Sequence, residues 1–146
     1  MSYAEENCWT PLHLATVYCH LPVVQCLCEQ GADKESRGDN AWTPLHTAAF
    51  KGRLSVVQHL CEQGADKDAR DSEYGKTPLH LAADKDQLSV VQCTQGVDKD
   101  ARNHNDETPL HWAAYYTHLA MVQYLCEQVY NKEARTVCGE IPLRGG

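Results

Sequence analysis

The sequence is dominated by one tetrapeptide, Thr-Pro-Leu-His, that recurs at a nearly constant spacing. It begins at residues 10, 43, 77 and 108, and a degraded copy, Ile-Pro-Leu-Arg, occupies 141–144. The intervals between these starts are 33, 34, 31 and 33 residues. Two further phrases, Val-Val-Gln and Gly-Ala-Asp-Lys, recur in step with the first. Self-similarity at such a period predicts a stack of small units, each covering the apolar flank of its neighbour.

Each copy predicts two short helices, and the second copy shows the pattern well. Thr43 suits an N-cap, because its hydroxyl can accept from the free backbone N–H groups of the first turn. Pro44 suits the first helical position, which needs no N–H. Gly52 is placed to end this helix in a left-handed conformation. The second helix carries an apolar stripe made of Leu54, Val57, Leu60 and Cys61. It stops at Gly64, and the polar residues 66–70 lead into the next unit as an exposed hairpin-like loop.

These motifs resemble the ankyrin repeat, and the resemblance covers essentially the whole chain. The resemblance implies an all-α solenoid of stacked helix–turn–helix units with projecting β-hairpin loops. It also implies that a partner lies against the hairpin tips and the inner, concave helices. We predict one ankyrin-repeat domain over residues 5–146. Its units are predicted at 5–37, 38–70, 71–102 and 103–135, with a partial fifth unit at 136–146.

The third copy departs most from the pattern. Its loop, residues 71–76, has one extra residue, and its second helix lacks two residues, including the counterpart of Leu60. Loss of a buried leucine typically lowers the free energy of unfolding by about 2–5 kcal/mol. In a stacked array the loss weakens both adjoining interfaces. The sequence therefore predicts that the third copy is the least stable.

Glycine is missing at several positions where the family pattern has it. The affected positions are Cys8, Ala41 and Asp106 before the Thr-Pro step, and Cys19, Asp86 and Thr117 between the helices. Where such a position keeps a left-handed backbone, a residue other than glycine costs about 1–2 kcal/mol, and Asp is tolerated best. We therefore expect local strain at these turns.

Composition and charge exclude several classes of function. Hydrophobic residues make up 42% and charged residues 23%, which is typical of a globular protein. The net charge of −7 disfavours nucleic acid and anionic membranes as partners, because both need clustered Lys and Arg. We expect no signal peptide, because no basic stretch followed by an apolar run opens the sequence. No segment reaches the roughly 18 consecutive apolar residues that a membrane span needs. We predict an intracellular protein of the cytoplasm, with the nucleus as an alternative.

The cysteines and histidines are interpreted as structural. Cys28, Cys61 and Cys126 share one place in a repeated Cys-Glu-Gln phrase. Equivalent helices of a stack lie about 8–10 Å apart, beyond the roughly 7 Å that a disulfide spans, which predicts free thiols that pack as small core residues. The tetrapeptide histidines are implied by the resemblance to make structural hydrogen bonds near the loop. These are His13, His46, His80 and His111.

No pattern for catalysis or cofactor binding emerges from the sequence. The Cys and His spacings match no usual zinc site, and no nucleophile is placed beside a base and an orienting group. No glycine-rich phosphate loop occurs. We therefore predict a protein that is not an enzyme and needs no metal or cofactor.

The candidate partner-binding residues lie where the family presents its surface. On the loops they are Trp9, Trp42, Tyr74, Lys76 and Glu107. On the inner helices they are Tyr18, Phe50, Lys51, Lys85, Tyr115 and Tyr116. Most are aromatic, a residue type enriched at interaction hot spots. The alternative for the two tryptophans is packing on the neighbouring loop, and Trp112 is expected to pack between helices.

The sequence thus predicts a monomeric, non-catalytic scaffold that binds a partner protein of unspecified identity. Two alternatives stay open at this point. The chain could be the targeting segment of a larger enzyme, such as a ubiquitin ligase or kinase that bears ankyrin repeats, or a truncated fragment without function. The ending Leu-Arg-Gly-Gly also resembles the tail of ubiquitin-like modifiers, but the repeat itself accounts for Leu143 and Arg144.

Overall fold

A computed structural model describes the backbone of residues 9–94 and 96–136 and the side chains of residues 9–94 and 96–128. Eight α-helices occupy these residues, and no strand occurs among them. The helices are α1 (Pro11–Val17), α2 (Leu21–Glu29), α3 (Pro44–Lys51), α4 (Leu54–Glu62), α5 (Pro78–Asp84), α6 (Leu88–Cys93), α7 (Pro109–Tyr115) and α8 (Leu119–Thr136). A short turn at Asp39–Ala41, in which Asn40 and Ala41 have left-handed φ of 58° and 60°, precedes α3. The prediction of stacked helix–turn–helix units is confirmed.

The helices form two layers. The first helices of the four copies, α1, α3, α5 and α7, pack side by side in chain order, and each contacts the second helix of its own copy. The tetrapeptide leucines Leu12, Leu45 and Leu79 are each 1% exposed and lie in the core between the layers. Burial of a leucine side chain contributes about 1.5–3 kcal/mol. The repeated leucine is therefore a main source of cohesion between the copies.

Each first helix begins as the tetrapeptide predicts. Thr10, Thr43 and Thr77 have extended backbones, and each threonine Oγ1 accepts a hydrogen bond from the backbone N–H of the tetrapeptide histidine at 3.3 Å. The histidine Nδ1 in turn accepts from the threonine backbone N–H, at 3.1 Å for Thr43 and His46. The two bonds satisfy two backbone donors that the first turn leaves free.

The same histidines link each copy to the next one. The Nδ1 atom accepts a backbone N–H, so the proton of the neutral imidazole sits on Nε2. Nε2 then donates to a backbone carbonyl of the following loop. The bonds are His13 to Trp42 O at 2.8 Å, His46 to Lys76 O at 3.0 Å and His80 to Glu107 O at 2.8 Å. The structural role that the resemblance implied for these three histidines is confirmed.

The described loops are closed by backbone hydrogen bonds between nearby residues rather than by strands. Gly38 N–H donates to Trp42 O at 2.8 Å, and Asn103 N–H donates to Glu107 O at 2.9 Å. In the longer third loop, Asp71 N–H donates to the Lys76 carbonyl, five residues on, also at 2.8 Å. The β-hairpins expected from the family are therefore tight hydrogen-bonded turns in the described part of this chain.

The turns that lack glycine keep the left-handed backbone. Ala41 and Asp106 have φ of 60° and 64°, while Cys19, Asp86 and Thr117 have φ of 56°, 57° and 56°. Gly52, which keeps the family residue, has φ of 71°. The condition for strain, a left-handed backbone at a residue other than glycine, is therefore met at these positions, and Cys8 lies outside the described residues.

The second helix of the third copy is shortened, as predicted. It ends at Cys93, and Thr94 takes the place that Leu60 holds in α4 when both helices are counted from their first residue. Thr94 is 6% exposed, and its hydroxyl is 3.1 Å from Val90 O and 3.0 Å from Val91 O. A buried hydroxyl needs a partner, and the last carbonyls of this short helix supply it.

The prediction that all three repeated cysteines pack in the core is wrong for Cys126. Cys28 and Cys61 are half-buried against the core, whereas Cys126 is exposed on α8. No described helix follows α8 to cover that side chain, and burial in a stack requires a neighbour. The six cysteines of the described residues are free thiols, as predicted. Cys138 lies outside that range.

The last helix, α8, continues past the point at which the second helices of the other copies end. α8 continues through residues 129–131, the positions that hold Gly-Ala-Asp in the first two copies. Without the glycine, no left-handed stop occurs and the helix reaches Thr136. The partial fifth copy, including Gly139 and Leu143, lies outside the described residues.

Candidate interaction surface

The two loop tryptophans bond to the loop of the following copy. Trp9 Nε1 donates to Asp39 Oδ2 at 3.0 Å, and Trp42 Nε1 donates to Asp71 Oδ2 at 3.0 Å. Both indoles keep part of their surface in solvent. The alternative of packing on the neighbouring loop is therefore confirmed, and the exposed part of each ring is still available to a partner.

Four of the predicted residues form one group, the Phe50 cluster, which consists of Trp42, Phe50, Lys51 and Lys85. The rings of Trp42 and Phe50 have centroids 5.0 Å apart at a tilt of 57°. The ammonium of Lys85 lies 5.1 Å from the Phe50 centroid, and that of Lys51 lies 6.0 Å from it. These separations are in the range of cation–π contacts. The cluster joins the loop of the second copy to the ends of α3 and α5.

A second group, the tyrosine cluster, lies at the end of α7 and consists of Trp112, Tyr115, Tyr116 and His118. Tyr116 meets Tyr115 edge-on with centroids 4.8 Å apart, and it stacks on Trp112 and His118 at 6.2 and 5.9 Å. Tyr115 is 76% exposed. The negative charge of nearby Asp84, followed by desolvation, raises the pKa of the Tyr116 phenol. Trp112 packs against the core, as expected.

The other predicted residues are held within their own loops or stand apart. Lys76 lies 5.7 Å from the Tyr74 ring centroid and 3.4 Å from Glu73 Oε1. Glu107 Oε1 accepts from Asn103 Nδ2 at 2.9 Å. Tyr18, 66% exposed, stacks on His20 with centroids 6.0 Å apart. The candidate residues therefore divide into separate groups rather than one patch.

The ends of the first helices place these groups in two rows. The residue seven positions after each tetrapeptide threonine is Val17, Phe50, Asp84 or Tyr115. The next position holds Tyr18, Lys51, Lys85 and Tyr116. The two lysines lie in the middle copies, and the tyrosines of the second row lie in the outer copies.

Sequence reasoning missed a ladder of arginines along the loops. Arg37 Nη1 donates to Ala41 O within its own loop and to Arg70 O in the next, both at 2.8 Å. Arg70 repeats the arrangement with Gly75 O, at 3.0 Å, and Arg102 O. The signal was present in the sequence, because an arginine recurs at 37, 70 and 102, in step with the tetrapeptide.

A further set of bonds connects the helix ends of successive copies. Each donor side chain directly follows the left-handed residue of its copy and reaches back to a carbonyl at the end of the preceding first helix. The bonds are Arg53 Nε to Val17 O at 3.0 Å, Gln87 Nε2 to Phe50 O at 3.1 Å and His118 Nε2 to Asp84 O at 3.0 Å. Carbonyls that the helix end leaves free are satisfied in this way.

Burial keeps the linking histidines neutral. Desolvation lowers the pKa of His46 to about 4, against the opposing effect of its bond to Lys76 O. Desolvation likewise lowers the pKa of His13 and of His80. Within the described residues no three His, Cys, Asp or Glu side chains are grouped to hold a metal ion. No helix in that part of the chain is both long and apolar enough to cross a membrane.

Comparison with known proteins gives one clear match. A family model described as "Ankyrin repeats (3 copies)" matches residues 2–71, 35–103 and 71–136. The three matches together cover most of the chain. Among curated proteins, none matches it.

Proposed function

Because this chain belongs to the ankyrin-repeat family, we propose that it is a non-catalytic scaffold that binds a partner protein across its loops and the exposed ends of its first helices. Ankyrin repeats are generally protein–protein interaction modules, are typically not catalytic and are commonly intracellular. The observation that carries the proposal is the Phe50 cluster. It presents two aromatic rings and two exposed cations on neighbouring copies.

The proposed mechanism is rigid presentation of a preformed surface. The histidine bonds, the arginine ladder and the helix-end bonds fix each copy against the next at several points. A surface held in this way loses little conformational entropy on binding, so more of the contact energy appears as affinity. Trp42 and Phe50 would act as anchors, together with Tyr115 and Tyr116.

The proposed partner is a protein, and the binding unit is a single chain in the cytoplasm. The net charge of −7 supports a protein rather than nucleic acid or an anionic membrane. Charge complementarity at the rim of the surface would then set the rate and selectivity of association.

Affinity capture with paired variants tests this function. The bait pair is Phe50→Ala combined with Tyr115→Ala, because neither side chain supplies a hydrogen bond that joins the copies. The matched control is Val23→Ala combined with Gln58→Ala, two exposed positions on the second helices. We expect a protein captured from cell extract by the wild type to be lost with the first pair and kept with the second, at equal helical circular dichroism. Equal capture by both pairs would remove the support for this surface.

A further inference from the structure

The Phe50 cluster is positively charged on a protein that is acidic overall. Lys51 and Lys85 are exposed, and neither pairs with a carboxylate of the described residues. The whole chain carries a net charge of −7. Two ammonium groups that form no ion pair with the described carboxylates attract a negative group.

The geometry places two cations over one aromatic ring of the cluster. Both ammonium groups lie within 6.0 Å of the centroid of one ring, that of Phe50. The Trp42 ring extends this aromatic surface toward the loop, at a centroid distance of 5.0 Å. A carboxylate bound by both ammonium groups would sit beside the Phe50 ring, and an adjacent apolar side chain would contact the exposed aromatic surface.

The charges around the cluster favour a carboxylate over a more highly charged group. Asp84 holds the same repeat position as Phe50 in the next copy, and Asp71 bonds to the Trp42 indole. These two carboxylates repel a dianion more strongly than a monoanion.

We propose that the Phe50 cluster binds an acidic peptide segment of the partner, with an Asp or Glu carboxylate between Lys51 and Lys85 and a neighbouring apolar side chain on Phe50 and Trp42. This inference rests on the proposed function and specifies the chemistry of the partner. The attraction between exposed charges is screened by salt, so binding should weaken as ionic strength rises.

Selection from a random twelve-residue peptide library displayed on phage tests the proposal. The baits are the full chain and two variants with the same change in net charge, K51E/K85E and K34E/K67E, the second pair lying in loops that follow the second helices. We expect the wild type and K34E/K67E to enrich peptides that combine Asp or Glu with an adjacent apolar residue. The K51E/K85E variant should lose these peptides.

Binding of the enriched peptides as synthetic fluorescent probes provides the quantitative readout. We expect K51E/K85E to weaken binding at least about tenfold, and replacement of the peptide Asp or Glu by Asn or Gln to do the same, since a charged contact is lost in each case. Equal affinity of wild type and K51E/K85E for these probes would overturn the proposal.

The outcomes separate this inference from the function on which it rests. Enriched peptides that lack acidic residues and still lose affinity with Phe50→Ala would overturn the acidic specificity and leave the scaffold function standing. Enrichment of no peptide by any bait, together with a failure of affinity capture, would overturn both. Acidic peptides that bind K34E/K67E as weakly as K51E/K85E would show a response to overall charge and overturn the site.

Discussion

The second and third copies share a beginning and differ in their ends. Both open with a threonine cap, a proline and a histidine that reaches the next loop. The second copy continues into α4, which buries Leu60 completely, while the third stops at Cys93 and buries Thr94 instead. The start of a unit is thus fixed by local hydrogen bonds. The length of the second helix varies between the copies. The first turn of either second helix already buries two valines in the core, so the later turns can be longer or shorter.

The largest effect is expected from truncating Leu60 in α4 and Thr94 in α6, the two side chains that occupy equivalent places. Leu60→Ala should lower the free energy of unfolding by about 2–5 kcal/mol, because it leaves a cavity in a closed core. Thr94→Ala should cost only about 1 kcal/mol, since it removes a hydroxyl and its hydrogen bond. Urea unfolding monitored by circular dichroism gives both values. Equal losses would mean that the shortened helix packs as tightly as the full one.

A second test titrates the histidines that begin the two units. His46 has its pKa lowered to about 4 by burial, whereas an unfolded chain has about 6.5. The unfolded state therefore binds more protons between these values, and the contribution of His46 to stability, of the order of 3 kcal/mol, is complete above pH about 6.5 and is lost as the pH falls to about 4. Unfolding free energies measured from pH 7 to pH 4 should decline for the wild type.

The matched variants are His46→Gln and His80→Gln. Each should flatten the decline, because the pKa of His80 is lowered by burial as well. A decline that is unchanged in His46→Gln would contradict the burial of this imidazole in the neutral form. The part of the slope that His80→Gln removes shows how much of the effect belongs to the third copy.

Hydrogen exchange compares the two second helices directly. Amides of residues 88–94 should exchange at least about tenfold faster than those of residues 54–63, which corresponds to a difference of about 1.4 kcal/mol in local opening. The reason is that α6 has fewer helical turns and no counterpart of Leu60. Equal protection of the two segments would refute the prediction that the third copy is the least stable.

The smallest expected effects come from exchanging the two turn residues. Gly52→Asp should destabilise the chain by about 1 kcal/mol, since the backbone there has φ of 71° and an added Cβ would displace the Gln87 side chain. Asp86→Gly should stabilise it by about 0.5–1 kcal/mol, because Asp86 has φ of 57°. Thermal unfolding of the two single variants and of the double swap measures both. A stabilising Gly52→Asp would contradict the assignment of strain.

How much of the structure the sequence could predict depends on how far apart along the chain the interacting residues lie. The helix starts and the left-handed turns depend on neighbours within a few residues, so Thr43, Gly52 and Asp86 could be placed correctly. The bonds of Trp42 to Asp71 and of Arg37 to Arg70 join residues about thirty positions apart. The recurrence of these residues can be seen in the sequence, but the partner atom of each bond becomes visible only when the copies are stacked.

The candidate site and the burial of Cys126 show the same limit. The sequence indicated which residues lie on the exposed ends, but it could not divide them into the Phe50 cluster and the tyrosine cluster, because those groupings depend on side-chain directions across copies. Cys126 has the same local sequence as Cys61. Cys126 is more exposed than Cys61 because a side chain in a stack is buried by the neighbouring unit and not by its own unit.

The hydrogen bond from Asp71 to Lys76 has a consequence for how this chain can be altered. It closes the third turn at 2.8 Å around one more residue than the other turns contain, and the histidine contact to Lys76 O is kept. The additional length is absorbed at the exposed residues 72–74. The backbone on either side of Glu73 bonds to both neighbouring loops, Ser72 N–H to Asn40 O at 2.8 Å and His104 N–H to Tyr74 O at 2.6 Å. The natural place to graft an epitope, a fluorescent tag or a selected binding peptide is therefore beside Glu73, between these two bonded residues.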